Sequence, residues 1–298
     1  MIKDGEKKMN KSTAFLLVVS VVAISFAAIF VKWSDAPAAV LSMYRMYLAS
    51  LFLLPFVWLN RHDVKNINKQ EWVLFIFSGI FLGMHFALWF GSLKLTTVAS
   101  STIILALQPV VALAGGFLIY KEKVSVPQLV TISLSMLGVV VIGLGDLGRS
   151  SSTALLGNLL SFLSVIAVVV YLLIGQRVVK KVSHWLYSFI VFFVAGVSLH
   201  VFNAVSGVPV RGYSAEEWQI FVLLAILPTI AHVIYNHLLN FINTSTISMT
   251  ILGEPVGATI LAFFILGEKV VALQVLGGLV VLFGVGLFLI QQRKAYQL

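Results

Sequence analysis

The chain has 298 residues, 60% of them hydrophobic and only 10% charged, with a mean hydropathy of +1.03 and a formal charge of +9. A water-soluble domain carries about 25% charged residues, so the polar groups here cannot cover the surface and lipid must be the solvent for most of the chain. There is no cysteine, which excludes disulfide and thiol chemistry; the basic residues are scattered between apolar runs rather than clustered, so nucleic acid is set aside as a partner.

The first apolar run, residues 12–31, reads STAFLLVVSVVAISFAAIFV and carries no charge; the last, 270–290, carries none either. Roughly 20 such residues span a hydrocarbon core as a helix. No run shows the alternation of a barrel strand, so helices must satisfy the backbone. The first run is too long for a signal-peptide core and lacks a small-residue cleavage site, which reads as a retained span. Ten spans follow in order: 12–32, 37–59, 71–93, 97–120, 125–145, 154–177, 183–205, 217–240, 245–266 and 270–290. The fold class predicted is an all-α integral membrane protein.

With the N-terminus in the cytoplasm, fourteen basic residues fall on inside segments: Lys3, Lys7, Lys8, Lys11, Arg61, Lys65, Lys69, Lys121, Lys123, Arg177, Lys180, Lys181, Arg293 and Lys294. Five fall outside, Lys32, Lys94, Arg149, Arg211 and Lys269, and the remaining one of the 20, Arg45, lies within a span. This excess predicts cytoplasmic termini in the cell membrane.

The chain also repeats at an offset of 146 residues. Glu71-Trp72 becomes Glu217-Trp218, Pro109-Val110 becomes Pro255-Val256, and Glu122-Lys123-Val124 becomes Glu268-Lys269-Val270. Ser42, Phe75, Phe117, Gln128 and Gly138-Val139 recur at Ser188, Phe221, Phe263, Gln274 and Gly284-Val285. Five helices thus align with five, without a gap. Because five is odd, the second half must enter the membrane upside down. The predicted organisation is a cytoplasmic tail 1–11, a first repeat 12–145, an outer linker 146–153, a second repeat 154–290 and a cytoplasmic tail 291–298. Inverted repeats are the architecture of alternating-access carriers, with the substrate site near the midplane where helices are interrupted.

These residues carry a resemblance to the EamA family of the drug/metabolite transporter superfamily, over essentially residues 12–292. The first copy of its pattern runs from Pro109 through Glu122, Gln128 and Gly138. The second runs from Pro255 through Gly267-Glu268, Gln274, Gly277 and Gly284. Arg45, after Pro37, matches a recurrent arginine of the family. Where the family often has a Trp-Gly pair, this chain has Ser25-Phe26-Ala27-Ala28. The resemblance implies a secondary carrier, usually an exporter of small metabolites such as amino acids or amphipathic toxins. It also implies a central cavity between the halves, with the fifth and tenth helices peripheral. No cofactor or metal is expected; a small-molecule substrate and the lipid bilayer are the expected partners, with proton coupling and a homodimer both compatible.

Arg45 and Glu254 are the charges fully inside spans, away from their ends, each costing about 2.5–3.5 kcal/mol at a helix centre. Counting residues puts Arg45 ~12 Å and Glu254 ~17 Å below the outer face. Either they anchor a zwitterion, with Glu254 alternatively a proton site, or they hold helices together by pairing. Pro109 and Pro255 free the carbonyls of Leu105 and Ile251. Beside Gln108 and Glu254, they suggest a cavity wall, the alternative being a packing kink. His85, His232, Asn236 and His237 form the next polar cluster, as a proton relay or as hydrogen-bonded structural groups. His232 and His237 stand about 140° apart on a helix, a poor metal site. Trp89, Tyr44 and Tyr171 are placed either to stack on a substrate or to pack. Gly79/Gly83, Gly115/Gly116, Gly277/Gly278 and Gly284/Gly286 suit close helix approach.

Residues 143–150, GLGDLGRS, fit G-x-G-x-x-G, but that motif needs a strand–helix unit and a membrane helix precedes it here. Asn243-Thr244-Ser245 is a glycosylation sequon on paper, placed by this topology on the cytoplasmic face. Two competing classes stand beside the carrier. One is an intramembrane enzyme using His85, His232 and Glu254, against which residue counting puts the two histidines ~9 Å and ~22 Å from the outer face. The other is a sensor, for which there is no output domain.

Overall fold

The structure is a computed structural model that describes residues 11–59, 62, 64, 67–96, 98–144, 153–267 and 272–295. The N-terminal tail 1–10, the linker 145–152, Glu268 and Lys269, and the basic residues Arg61, Lys65 and Arg149 lie outside the described residues.

Among the described residues twelve α-helices follow one another: α1 Lys11–Trp33, α2 Ala38–Leu59, α3 Lys69–Leu95, α4 Val98–Leu105, α5 Gln108–Tyr120, α6 Val126–Leu144, α7 Ala154–Val178, α8 His184–Val205, α9 Ala215–Leu238, α10 Thr244–Ile251, α11 Glu254–Leu261 and α12 Ala272–Ala295. A π-helical turn, Ala262–Leu266, extends α11. No strand occurs among the described residues. Among the described residues, seven helical runs are long and apolar enough to cross a membrane, and three shorter apolar helices accompany them. Leu155, Val205 and Phe264, all more than 70% exposed, belong to an apolar surface that water would not tolerate.

Two expected spans are not continuous helices. The run 97–120 breaks at Ala106-Leu107, and 245–266 breaks at Leu252-Gly253. The breaks fall 146 residues apart. At each one the ladder tightens to i→i−3, with Leu107 N donating to Ile104 O at 3.0 Å and Gly253 N to Thr250 O at 3.0 Å. The prolines do not kink a continuing helix. They sit in the first turn of α5 and α11, where a missing N–H costs nothing.

The offset also relates the element boundaries. Residues 38–59 of α2 become 184–205 of α8, and 98–105 of α4 become 244–251 of α10. Helix α5 ends on Lys121 at φ 57°, and the equivalent Gly267 has φ 67°. Only the second copy has the residue for which that left-handed turn is free of Cβ strain.

The halves are interleaved rather than side by side. Helix α1 packs on α9, α3 on α7, α2 on α8 and α6 on α12. Exchanging the halves maps α1–α9 onto α7–α3 and leaves α2–α8 and α6–α12 unchanged. At the α6–α12 crossing, a Cβ on Gly138 would stand 2.7 Å from Gly277 O, and one on Gly284 would stand 3.1 Å from the equivalent Thr131 O. Gly79, Gly83 and Gly115 also sit in close approaches, while nothing stands within 4 Å of a Cβ on Gly286.

Candidate functional site

Half-helices α5 and α11 begin with Gln108 and Glu254, the same position in the two copies. Both side chains are buried. Gln108 Nε2 donates to Ser248 Oγ at 3.2 Å across to α10. Glu254 differs: its Oε1 has no hydrogen-bond partner. Its place in the first turn of α11 lets the helix dipole favour the negative charge. Beside it, a cavity of about 10 Å³ with room for about one water is lined by Thr102, Leu105, Ala106, Ile251, Leu252 and Pro255. The two backbone breaks therefore meet at one point, bringing together what the sequence separates by 146 residues.

Arg45, on α2, is fully buried, and none of its three side-chain nitrogens has a hydrogen-bond partner. Its guanidinium carbon lies 4.0 Å from the Phe86 ring centroid and 5.8 Å from that of Phe90. The cation–π contact offsets only part of its desolvation. Glu254 and Tyr171 are within electrostatic reach, yet Arg45 and Glu254 form no ion pair. A pairing that merely staples helices together would leave fewer of these atoms unmet.

Phe86 is the centre of the site. His85 lies 4.9 Å from it and His232 lies 5.1 Å from it on an edge, centroid to centroid. Phe86 and His232 are also equivalent positions, 146 apart. The expectation that His85 and His232 stand at well-separated depths is therefore wrong: both touch one ring. Counting from span ends assumes upright helices with level ends, whereas membrane helices tilt.

The roles of the cluster divide. His85 Nδ1 lies 3.0 Å from Ser164 O; a carbonyl only accepts, so Nδ1 carries the proton and Nε2 is the free face. His85 also stacks on Trp89, ring centroids 6.0 Å apart. Trp89 Nε1, both nitrogens of His232 and the Tyr235 hydroxyl are buried without hydrogen-bond partners. Asn236, by contrast, is used up: Tyr171 Oη donates to its Oδ1 at 2.5 Å and its Nδ2 donates to Ser188 Oγ at 3.0 Å. It holds α7, α8 and α9 together. Tyr44 lies elsewhere, stacked on Phe221 with its hydroxyl donating to Val210 O. His237 turns away to His184, Nδ1 to Nδ1 3.4 Å. Asn243 caps α10 and donates to Glu122 Oε2 at 2.9 Å, so the sequon nitrogen is engaged.

Sequence reasoning missed Phe86, Phe90 and Tyr235. In an apolar chain with 22 phenylalanines, an aromatic beside a histidine carries no signal until another helix places Arg45 above it.

Equivalent contacts close the two ends of the bundle. Where α3 begins, Lys181 Nζ donates to Glu71 Oε1 at 2.6 Å, and Glu71 also completes the capping box with Asn68. Where α9 begins, the equivalent Glu217 accepts from Asp35 N at 2.6 Å and from the Ser34 hydroxyl. Asp35 and Lys181 are themselves 146 apart. Near the α3 end, Glu122 also accepts from Gln176 Nε2 at 2.7 Å.

The helices and their apolar surface define a multi-pass membrane protein whose two repeated halves enclose a buried guanidinium and a carboxyl oxygen without hydrogen-bond partners. Comparison with known proteins makes the class narrower. The model of the EamA-like transporter family matches residues 11–144 and again 155–290. An uncharacterized transporter of Archaeoglobus fulgidus is 27% identical over 295 residues, covering 96% of this chain and all of that one. The uncharacterized transporter YxxF of Bacillus subtilis is 26% identical over 291 residues, 95% of this chain and 92% of that one. A crystal structure superposes with a TM-score of 0.77 at 15% identity, over 96% of this chain and 99% of that one. The chain belongs to the EamA-like transporter family, within the drug/metabolite transporter superfamily.

Proposed function

We propose that this membrane transporter is a secondary exporter of small metabolites bearing a carboxylate, working by alternating access between two inverted five-helix repeats. In this reading ten spans cross the cell membrane, with α4–α5 and α10–α11 each forming one broken span and both termini in the cytoplasm. The observation that carries it is the fully buried Arg45 guanidinium, without a hydrogen-bond partner and placed over Phe86. Phe86 touches its own equivalent, His232. Two equivalent residues that touch must flank the axis relating the halves, and that is where a carrier of inverted repeats holds its substrate. Arg45 takes the carboxylate. Glu254 takes an amine or a coupling proton, while Gln108 and the breaks just before Pro109 and Pro255 form the wall. His85, Trp89 and His232 line the chamber, and Asn236 braces it.

The exchange-symmetric contacts of Glu71 and Glu217 support a rocking motion in which one end opens as the other stays shut. The test is counterflow in proteoliposomes of the purified protein with a panel of radiolabelled amino acids. Exchange of at least one of them, driven by its own or a proton gradient and indifferent to ATP, is expected. Transport that persists only with ATP would sink the reading.

A further inference from the structure

The seam between α2 and α9 contains a cavity of about 440 Å³, of the size of a ligand pocket, lined by apolar side chains that include Ala49, Phe52, Phe56, Ala225 and Ile230. Its equivalent, the seam between α8 and α3, is shut. There α3 has Gly79 and Gly83, and a Cβ on them would stand 2.6 Å from Val194 Cβ and 2.8 Å from Ser198 Oγ. At the same places α9 has Ala225 and Thr229, which line the open seam. The difference between the seams thus coincides with a difference in the sequence.

The cavity also points somewhere. On α2 the lining residues Phe56, Phe52 and Ala49 continue at helical spacing to Arg45, one turn and ~6 Å beyond Ala49. On α9, Ala225 and Thr229 continue to His232 and Asn236 in the same way. The apolar stripe on each helix therefore leads to the chamber, and on α2 it ends at a buried cation without a hydrogen-bond partner. A second apolar cavity, about 270 Å³ and lined by Leu17, Val21, Gly253 and Gly257 among others, adjoins the Glu254 carboxyl, not a cation.

We propose that the α2–α9 seam is a lipid-side site for the hydrocarbon tail of a single-chain anionic amphiphile whose head is held by Arg45. Charge complementarity selects the occupant. The seam offers a hydrocarbon chain almost no polar group to desolvate, and the only charge on its stripes is positive. The proposal rests on Arg45 being the anion anchor of the carrier, and it adds a class of substrate and a route of entry from the bilayer.

The experiment is photolabelling of the full chain in phosphatidylcholine nanodiscs with diazirine-bearing hexadecanoate, and separately with the matching hexadecanol, followed by peptide mapping. The carboxylate should label segments 49–56 and 225–234 about tenfold more than the alcohol does, the ratio that one charge-assisted contact supplies. Excess unlabelled hexadecanoate should compete, and the cavity next to Glu254 should stay unlabelled by the carboxylate. This comparison of probes needs no variant. Arg45→Gln should then remove the preference and Arg45→Lys restore part of it. Equal labelling by the two probes overturns the proposal, as does labelling no denser than at the lipid face around Phe283. If amino-acid counterflow depends on Arg45 while the seam shows no preference, the carrier reading stands and this one falls.

Discussion

Replacing Arg45 with methionine separates a binding arginine from a structural one, because the two roles predict opposite changes in stability. The side chain is fully buried, and none of its three nitrogens meets an acceptor. The ring of Phe86 at 4.0 Å returns about 2 kcal/mol, against several kcal/mol for removing a charge from water. Methionine follows most of the aliphatic stem and carries no charge. Exchanging buried charges for apolar residues of similar volume commonly stabilises by about 1–4 kcal/mol. Arg45→Met should therefore raise the unfolding free energy by an amount in that range, measured by denaturant titration in a fixed detergent. The same variant should lose carboxylate counterflow in proteoliposomes. If Arg45→Met instead unfolds several kcal/mol more easily, the arginine holds the bundle together and the reasoning is refuted.

Glu254→Gln makes α11 begin as α5 does, with an uncharged amide. Protein yield should hold while transport driven by a proton gradient falls to background; transport that still follows an imposed pH gradient would remove Glu254 from coupling. Glu71→Gln and Glu217→Gln weaken equivalent contacts at opposite ends. Because the chain contains no cysteine, a single cysteine at Phe86 can report access. It should react faster with a membrane-impermeant maleimide from one side in the first variant and from the other side in the second; reaction from the same side in both would contradict the inverted arrangement. Gly138→Ala puts a methyl 2.7 Å from Gly277 O and Val281 N and should cost about 1–3 kcal/mol, while Gly286→Ala meets nothing within 4 Å and should be neutral. Equal thermal shifts for these two would mean that α6 and α12 do not cross as described.

Much of the fold was legible in the chain because lipid imposes a strict rule. A backbone that cannot bond to water must bond to itself, so every long apolar run is helical. At the start of α3 the structure makes both bonds of a capping box between Asn68 and Glu71. The prolines announced breaks at 109 and 255, though not that each starts a new half-helix. Depth was the weak point. Residue counting separated His85 from His232, which share one aromatic partner.

The sequence alone determined the helical class, the 146-residue equivalence and the identity of the two charges worth explaining, because hydropathy, repetition and the cost of burying charge are properties of residues taken in order. Tertiary structure alone decided which atoms remain unmet. Gln108 and Asn236 looked as available as Arg45 and Glu254, yet the first two find partners on other helices and the last two find no hydrogen-bond partner for the guanidinium nitrogens and for Oε1. Partnership across a bundle depends on helix rotation and height, to which hydropathy is blind. Only the fold could show Arg45 above Phe86, and Phe86 against its own repeat-mate, at the centre of the molecule.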